Sequence, residues 1–242
     1  MSNRIYLRHR WSHRGRLHRV SVRIANRLLA RVPFAVKYSL AGVAAGRELP
    51  YSLLQPGDTA VQVGAPHDTL RAGRSRAVHL ALRVGPRGRV VVVEPDPASA
   101  AALRKAASEH RMPQLLVVES GAWSSQKELR LYVDPAHPAT NFTEDTADYS
   151  PAEIARFEVE TVPVDSVDNI LERLDVSSVK LVSITTNGSE REIIAGMSKT
   201  LARGLPYIAL ARTDDGHEAM MTELGYGRLG FDNRGYTFSK NA

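Results

Sequence analysis

The sequence predicts an α/β fold: a mostly parallel, seven-stranded sheet with helices on both faces, closed by a C-terminal antiparallel hairpin. Three observations predict it. From residue 59 onward, short apolar runs of strand length alternate with segments of helical length. One run, Arg89-Val-Val-Val-Val-Glu94, places four β-branched residues in a row, as a strand buried on both faces does. The last stretch runs from Tyr226 to Phe231, through Asp232-Asn-Arg-Gly235, to Tyr236 and Ser239. It reads as two strands joined by a turn whose residues tolerate positive φ.

Composition sets the outer bounds. A chain of 242 residues with 43% hydrophobic residues has room for one large α/β domain plus an extension. It has no cysteine, which removes disulfides, thiolate metal sites and cysteine nucleophiles together. No run approaches the roughly 20 apolar residues that span a bilayer. No apolar core with a small-residue cleavage site marks a signal peptide. These features predict a cytoplasmic protein. The net charge of +6 hides an asymmetry: residues 1–47 carry eleven cations and no acid, so the remainder sums to −5. The chain divides into a basic arm, residues 1–50, and a mildly acidic domain, residues 51–242.

The arm begins without periodicity. Leu17, Val20, Ile24 and Leu28 then recur at helical spacing beside a stripe of Arg19, Arg23, Arg27 and Arg31. That is a basic amphipathic helix, stopping near Pro33. A second short helix covers Ala35 to Ala45. In the domain, strands are expected at 59–63, 89–93, 114–118, 179–184 and 206–211. Helices are expected at 74–83, 97–110, 165–174, 188–203 and 216–224. Residues 134–160 interrupt the alternation with a polar, proline-containing stretch, read as a lid, a substrate loop or disorder. Strand 89–93 delivers Glu94 to the carboxyl edge of the sheet, where adenosyl and dinucleotide folds place an acid against ribose hydroxyls. Thr59-Ala-Val-Gln-Val63 enters a glycine turn at Gly64 beside it.

Seven segments then occur in order: Pro56-Gly57-Asp58, Val61-Gln-Val-Gly-Ala65, Val84-Gly-Pro-Arg-Gly-Arg-Val90, Glu94-Pro-Asp-Pro97, Val164-Asp165-Ser166, Gly188-Ser-Glu190 and Leu224-Gly-Tyr226. Together they resemble the FkbM-type methyltransferases over roughly residues 52–240. The resemblance implies a Rossmann-like class I methyltransferase fold, S-adenosylmethionine as cofactor, and O-methylation of a sugar, glycolipid or other small metabolite. It implies cofactor contacts at Gln62, Gly64, Ala65, Glu94, Pro95, Gly121 and Ala122. His67, Asp68, Asn187 and Glu190 become candidates for catalysis or acceptor handling, His67 and Asp68 as a base with an acid partner. No set of His, Asp and Glu has metal-ligand spacing.

The departures define an alternative. The family's first strand usually ends Asp-x-Gly-Ala-Asn-x-Gly; here the Asp is Gln62, the Asn is Pro66 and the last Gly is Asp68. After the fourth strand the family usually carries Lys-x-Asp-x-Glu-Gly-x-Glu; here those positions include Ser183, Thr185, Asn187 and Glu190. The fifth strand ends near Arg212 in place of Glu. A sulfonium and an ammonium are held by such acids, since unit charges ~4 Å apart interact by about 4 kcal/mol at an effective dielectric near 20. Their loss predicts either a divergent enzyme or a non-catalytic, methyltransferase-like binding or scaffold protein. Arg71, Arg74 and Arg76, around Gly73, read as an anion clamp at a helix start or as solvated charges. The arm's amphipathic stripe favours an anionic membrane surface, with a peripheral location. Its few aromatics, Tyr6 and Trp11, argue against nucleic acid.

Overall fold

The computed structural model describes residues 32–134, 137–144, 151–211, 215–232 and 234–240. The amphipathic helix expected before Pro33 lies outside them. Helix α1, Phe34–Ala45, forms where the second helix of the arm was expected. Its Tyr38 is 1% exposed and donates a hydrogen bond to the Leu70 carbonyl at 3.0 Å. From Phe34 onward, the segment assigned to the arm by charge is therefore packed on the domain.

The chain then runs β1 (Thr59–Val63), α2 (His67–Arg71), α3 (Arg76–Val84), β2 (Arg89–Glu94), α4 (Pro97–Glu109) and β3 (Leu115–Glu119). Next come β4 (Gly121–Ala122), β5 (Lys127–Val133), β6 (Phe142–Thr143), α5 (Pro151–Ile154) and β7 (Glu158–Asp165). The last third holds α6 (Val167–Arg173), β8 (Leu181–Ile184), α7 (Glu190–Ala195), α8 (Ser198–Ala202), β9 (Tyr207–Ala211), α9 (Asp215–Glu223), β10 (Tyr226–Phe231) and β11 (Gly235–Lys240).

Seven strands form the main sheet in the order β10-β11-β9-β8-β1-β2-β3. Pairings from β9 through β3 are parallel, while β11 runs antiparallel to both β9 and β10. The chain leaves β1 toward β2 and β3, and returns on the other side through β8 and β9. The switch point between β1 and β8 opens a crevice outside their carboxyl ends, where ligands of open α/β sheets bind. Strand alternation splits the core in two. Val61, Val63, Val91, Val93, Val182 and Ile184 face α6 and α7 in one cluster. Ala60, Val90, Val92 and Leu181 face α1 and α3 in the other. Local signals start the helices: Asp96 accepts from the amides of Ala98 and Ser99 with Pro97 in the first turn, and Ser166 accepts from Asn169.

Three expectations are corrected. The single sheet expected is joined by a second, in the order β4-β7-β5-β6, with only β6 and the first residues of β7 inside the 134–160 stretch. Its inner face buries Trp123, Leu129, Leu131, Val133, Val162 and Val164; the alternation Leu129, Leu131, Val133 is a period-two signal for it. Asp165 closes β7 instead of opening a helix. The helix expected over 188–203 breaks into α7 and α8, because Gly196 lies against the Trp123 backbone. A Cβ on Gly196 would sit 2.1 Å from the Trp123 carbonyl oxygen. Asp168 restarts the chain as α8 by accepting from the amides of Lys199 at 2.6 Å and Thr200 at 2.9 Å. No helix among the described residues is long and apolar enough to cross a membrane.

Candidate functional site

A narrow cleft separates the carboxyl edge of the main sheet from the inner face of the second sheet. Val63, Gly64, Glu94 and Pro95 line it from β1 and β2, and Gly121, Ala122 and Trp123 from the β4 segment. Leu131, Phe142, Val162 and Val164 form the opposite wall, and Thr185, Thr186 and Asn187 close the end beyond β8. Its enclosed volume is about 80 Å³, small beside the roughly 300–1,000 Å³ of small-molecule pockets. A wider cavity of about 390 Å³ lies at the opposite, amino edge, between Asp58, Lys180 and Arg203. It contains none of the expected site residues.

Glu94 is 5% exposed and is held from two sides. One carboxylate oxygen accepts the Ala65 amide and the other the Asp96 amide, the latter at 3.0 Å. The carboxylate thus ties the turn after β1 to the turn after β2. Burial raises its pKa to about 7, against the pull of those two amides. Gly64 shapes the same corner. Its φ of +78° and the approach of the Thr185 carbonyl, 2.6 Å from where a Cβ would stand, both require glycine.

The structure brings Gly64, Glu94, Pro95, Gly121, Ala122 and Asn187 together around this cleft. Ala65 supports it through its amide. Gln62 does not enter it. Fully buried on the α3 face, Gln62 turns its Nε2 to the Val63 carbonyl at 2.9 Å, the Gly64 carbonyl at 2.7 Å and the Thr185 hydroxyl at 2.8 Å. It braces the glycine turn from behind.

His67 and Asp68 do not pair as base and acid. Neighbours on a helical turn point apart. The His67 ring contacts Ser99 Oγ at 3.2 Å, and that hydroxyl donates to Asp96 at 2.5 Å. Burial, then the charge of Arg71, lowers the pKa of His67. Asp68 accepts from the Thr69 amide at 2.8 Å. Neither lines the cleft. Glu190, 1% exposed at the start of α7, accepts from the Thr186 hydroxyl at 3.1 Å and also lies behind the lining.

Asn187, a good N-cap by type, leaves that position to Ser189. Its side-chain amide reaches across the cleft mouth to the Ala139 carbonyl at 3.1 Å and the Asn141 carbonyl at 2.6 Å. The sequence reading named Thr185 only as a replaced acid and missed Thr186 and Phe142. Two hydroxyls directly after an apolar strand were the available signal for the threonines; for Phe142, in a two-residue strand, there was none.

The model of the FkbM methyltransferase domain matches residues 62–238. No curated protein matches the chain. Among solved structures, the FkbM methyltransferase of Methylobacillus flagellatus KT superposes with a TM-score of 0.50 at 16% identity, covering 89% of this chain and 58% of that one. The chain therefore spans less than two thirds of that relative, and the likeness is one of fold. Aeropyrum pernix fibrillarin, solved with natively bound S-adenosyl-L-methionine, gives a TM-score of 0.44 at 16% identity over 83% of this chain and 73% of that one. The family match runs from the end of β1 into β11, across every strand that frames the cleft, and the chain belongs to the FkbM methyltransferase domain family.

Proposed function

We propose that the chain is an S-adenosylmethionine-dependent O-methyltransferase acting on a hydroxyl of a sugar, a glycolipid or another small metabolite. Family membership supports S-adenosylmethionine as the cofactor. One observation carries the site reading: Glu94 is a buried carboxylate at the carboxyl end of β2, lining an apolar cleft beside the switch point. Each of its oxygens spends one lone-pair direction on a backbone amide and keeps another for a ribose hydroxyl. Pro95, Gly121 and Ala122 offer the flat apolar edge that an adenine ring needs. Gly64 and Ala65 bring backbone close to the amino-acid portion, where the cations meet carbonyl and hydroxyl dipoles. When bound, the cofactor supplies a sulfonium-activated methyl group. The chain's part is to align an acceptor hydroxyl with it and to exclude water. At its present width the cleft admits a nucleoside once the 138–143 segment shifts outward from Asn187.

A second reading, a binding module without catalysis, is favoured by one feature of the lining. Glu94 is its sole ionisable side chain among the described residues, so no second group there can take a proton from an acceptor. Titration calorimetry with S-adenosylmethionine and S-adenosylhomocysteine, followed by methyl-transfer assays on hydroxylated acceptors, separates the two. Binding with turnover supports the enzyme; binding without turnover supports the module. Absence of binding by both ligands at millimolar concentration sinks the enzyme reading and leaves a scaffold without the cofactor. Glu94→Ala is expected to abolish binding. We assign the arm, residues 1–47, to an anionic membrane surface. Because α1 packs on the domain, the deletion stops at residue 31; loss of vesicle flotation is the expected result, and equal flotation removes the assignment.

A further inference from the structure

The α3 face of the carboxyl edge holds a second polar cluster, separate from the cleft. Arg76, 3% exposed, lies across the sheet from the start of α3. Its guanidinium donates to Ser183 Oγ on β8 at 3.2 Å and forms an ion pair with Asp232 in the β10–β11 turn. Arg234, from the same turn, reaches the Arg74 carbonyl, and Arg74 itself is exposed. Three arginines thus converge. Among the described residues, Asp232 alone forms an ion pair with any of them. The resulting field acts on its neighbours. His79 is driven down to about 4 by burial and then by Arg234 and Arg76, so its ring is neutral. Burial, then the like charge of Arg76, pulls Arg234 down to about 10.

Part of this cluster is unsatisfied. Arg76 Nε, Ser75 Oγ and Thr237 Oγ1 are buried without a partner, in residues 1–3% exposed. Buried donors are almost always paired, so three together call for an acceptor. Ser75 is the N-cap of α3, a helix of nine residues, yet its side chain makes no capping bond, and the first turn carries no acid. A helix start without a side-chain cap or an acid favours negative charge. Ala209, between Ser183 and Thr237 in the sheet register, adds little bulk to the floor. Gln62 Oε1 and His79 Nε2 are also unmet on this face.

We propose that Ser75, Arg74, Arg76 and Arg234, with the N-terminus of α3, form a binding site for an oxyanion: the carboxylate or phosphate of a ligand lying across the carboxyl ends of β8 and β9 and the amino end of β11. Arg74 and the half-buried Arg234 provide the entrance; Arg76 and Ser75 form the inner end. The site does not depend on the cofactor reading, and its first test contains no cofactor.

Inorganic phosphate is titrated into the full chain by calorimetry, with ionic strength held constant by chloride. Saturable millimolar binding is expected. Arg74→Gln and Arg234→Gln should each weaken it about tenfold, with Arg104→Gln, on the distant β3 side, unchanged. These two arginines are chosen because neither is the buried partner of Asp232, and thermal melts verify folding. No saturable binding, or equal binding by all variants, overturns the proposal. Repeating the titration with S-adenosylhomocysteine present assigns the source. Competition means that the site takes the amino-acid carboxylate of the cofactor; simultaneous binding means that it takes an acidic acceptor. Phosphate binding without S-adenosylhomocysteine binding would sink the cofactor reading and leave this site standing.

Discussion

Gln62 and Val63 are adjacent on β1 but face opposite sides of the sheet, and their two neighbourhoods are organised differently. In the cleft that Val63 lines, the charge is a single carboxylate, and both its oxygens accept from backbone amides. On the Gln62 side, the charge is an excess of guanidinium, and several buried donors have no acceptor. A satisfied group is rigid and shapes a wall. An unsatisfied group stores an interaction for something that is absent from the chain. The difference teaches where to look for ligand charge: the cleft has shape and apolar surface, and the α3 face has electrostatic demand.

The largest effect is expected from breaking the charged side. Asp232→Asn leaves Arg76 buried without its counter-charge. A loss of about 3–5 kcal/mol is expected in chemical denaturation, smaller in phosphate than in chloride buffer. Equal loss in both buffers would show that the cluster has no use for an anion. Next comes the wall of the cleft. Gly196→Ala forces a methyl into the Trp123 carbonyl, 2.1 Å away, and about 1–3 kcal/mol of overpacking is expected. Trp123 fluorescence should shift with it, because its backbone moves.

Glu94 gives the pH test. Its raised pKa means that the folded chain binds a proton more readily than the unfolded one. Its stabilising contribution is fully present below the ordinary value of 4.5 and is lost as pH rises through about 7. Glu94→Gln should flatten the fall in stability across that window; an unchanged slope means that Glu94 is not desolvated. A smaller effect is expected from Asn187→Ala, which removes two hydrogen bonds at the mouth, together about 1–2 kcal/mol. The smallest is Arg104→Ala. The Arg104–Glu119 pair is 45% and 41% exposed, and a change of about 0–1 kcal/mol is expected.

Much of the main sheet was legible because its signals are local. The valine run before Glu94, the Asp96-Pro97 helix start and the hairpin each occupy a handful of consecutive residues. The second sheet was not read: β5 carries a period-two signal, but β4 and β6 have two residues each and too little length to show a period. Site chemistry divided along the same line. Glu94 and Gly64 sit at strand ends and were proposed from strand patterns, Gly121 from the family resemblance, and all three line the cleft. The partners of Asn187 lie 46 and 48 residues away, and Asp232 lies 156 residues from Arg76. No local pattern encodes those pairings. The arginines around Gly73 were visible as a cluster, while their unmet donors depended on the packing of α3 against β8 and β11.

The reach of Asn187 to two carbonyls has a consequence in time as well as in space. A ligand bound at the inner wall leaves by the route it entered, past the same two hydrogen bonds. Their rupture belongs to the transition state of both passages, so it slows arrival and departure alike. If the cleft holds the proposed cofactor, Asn187 would set its residence time, while the contacts at Glu94 would set how tightly it is held.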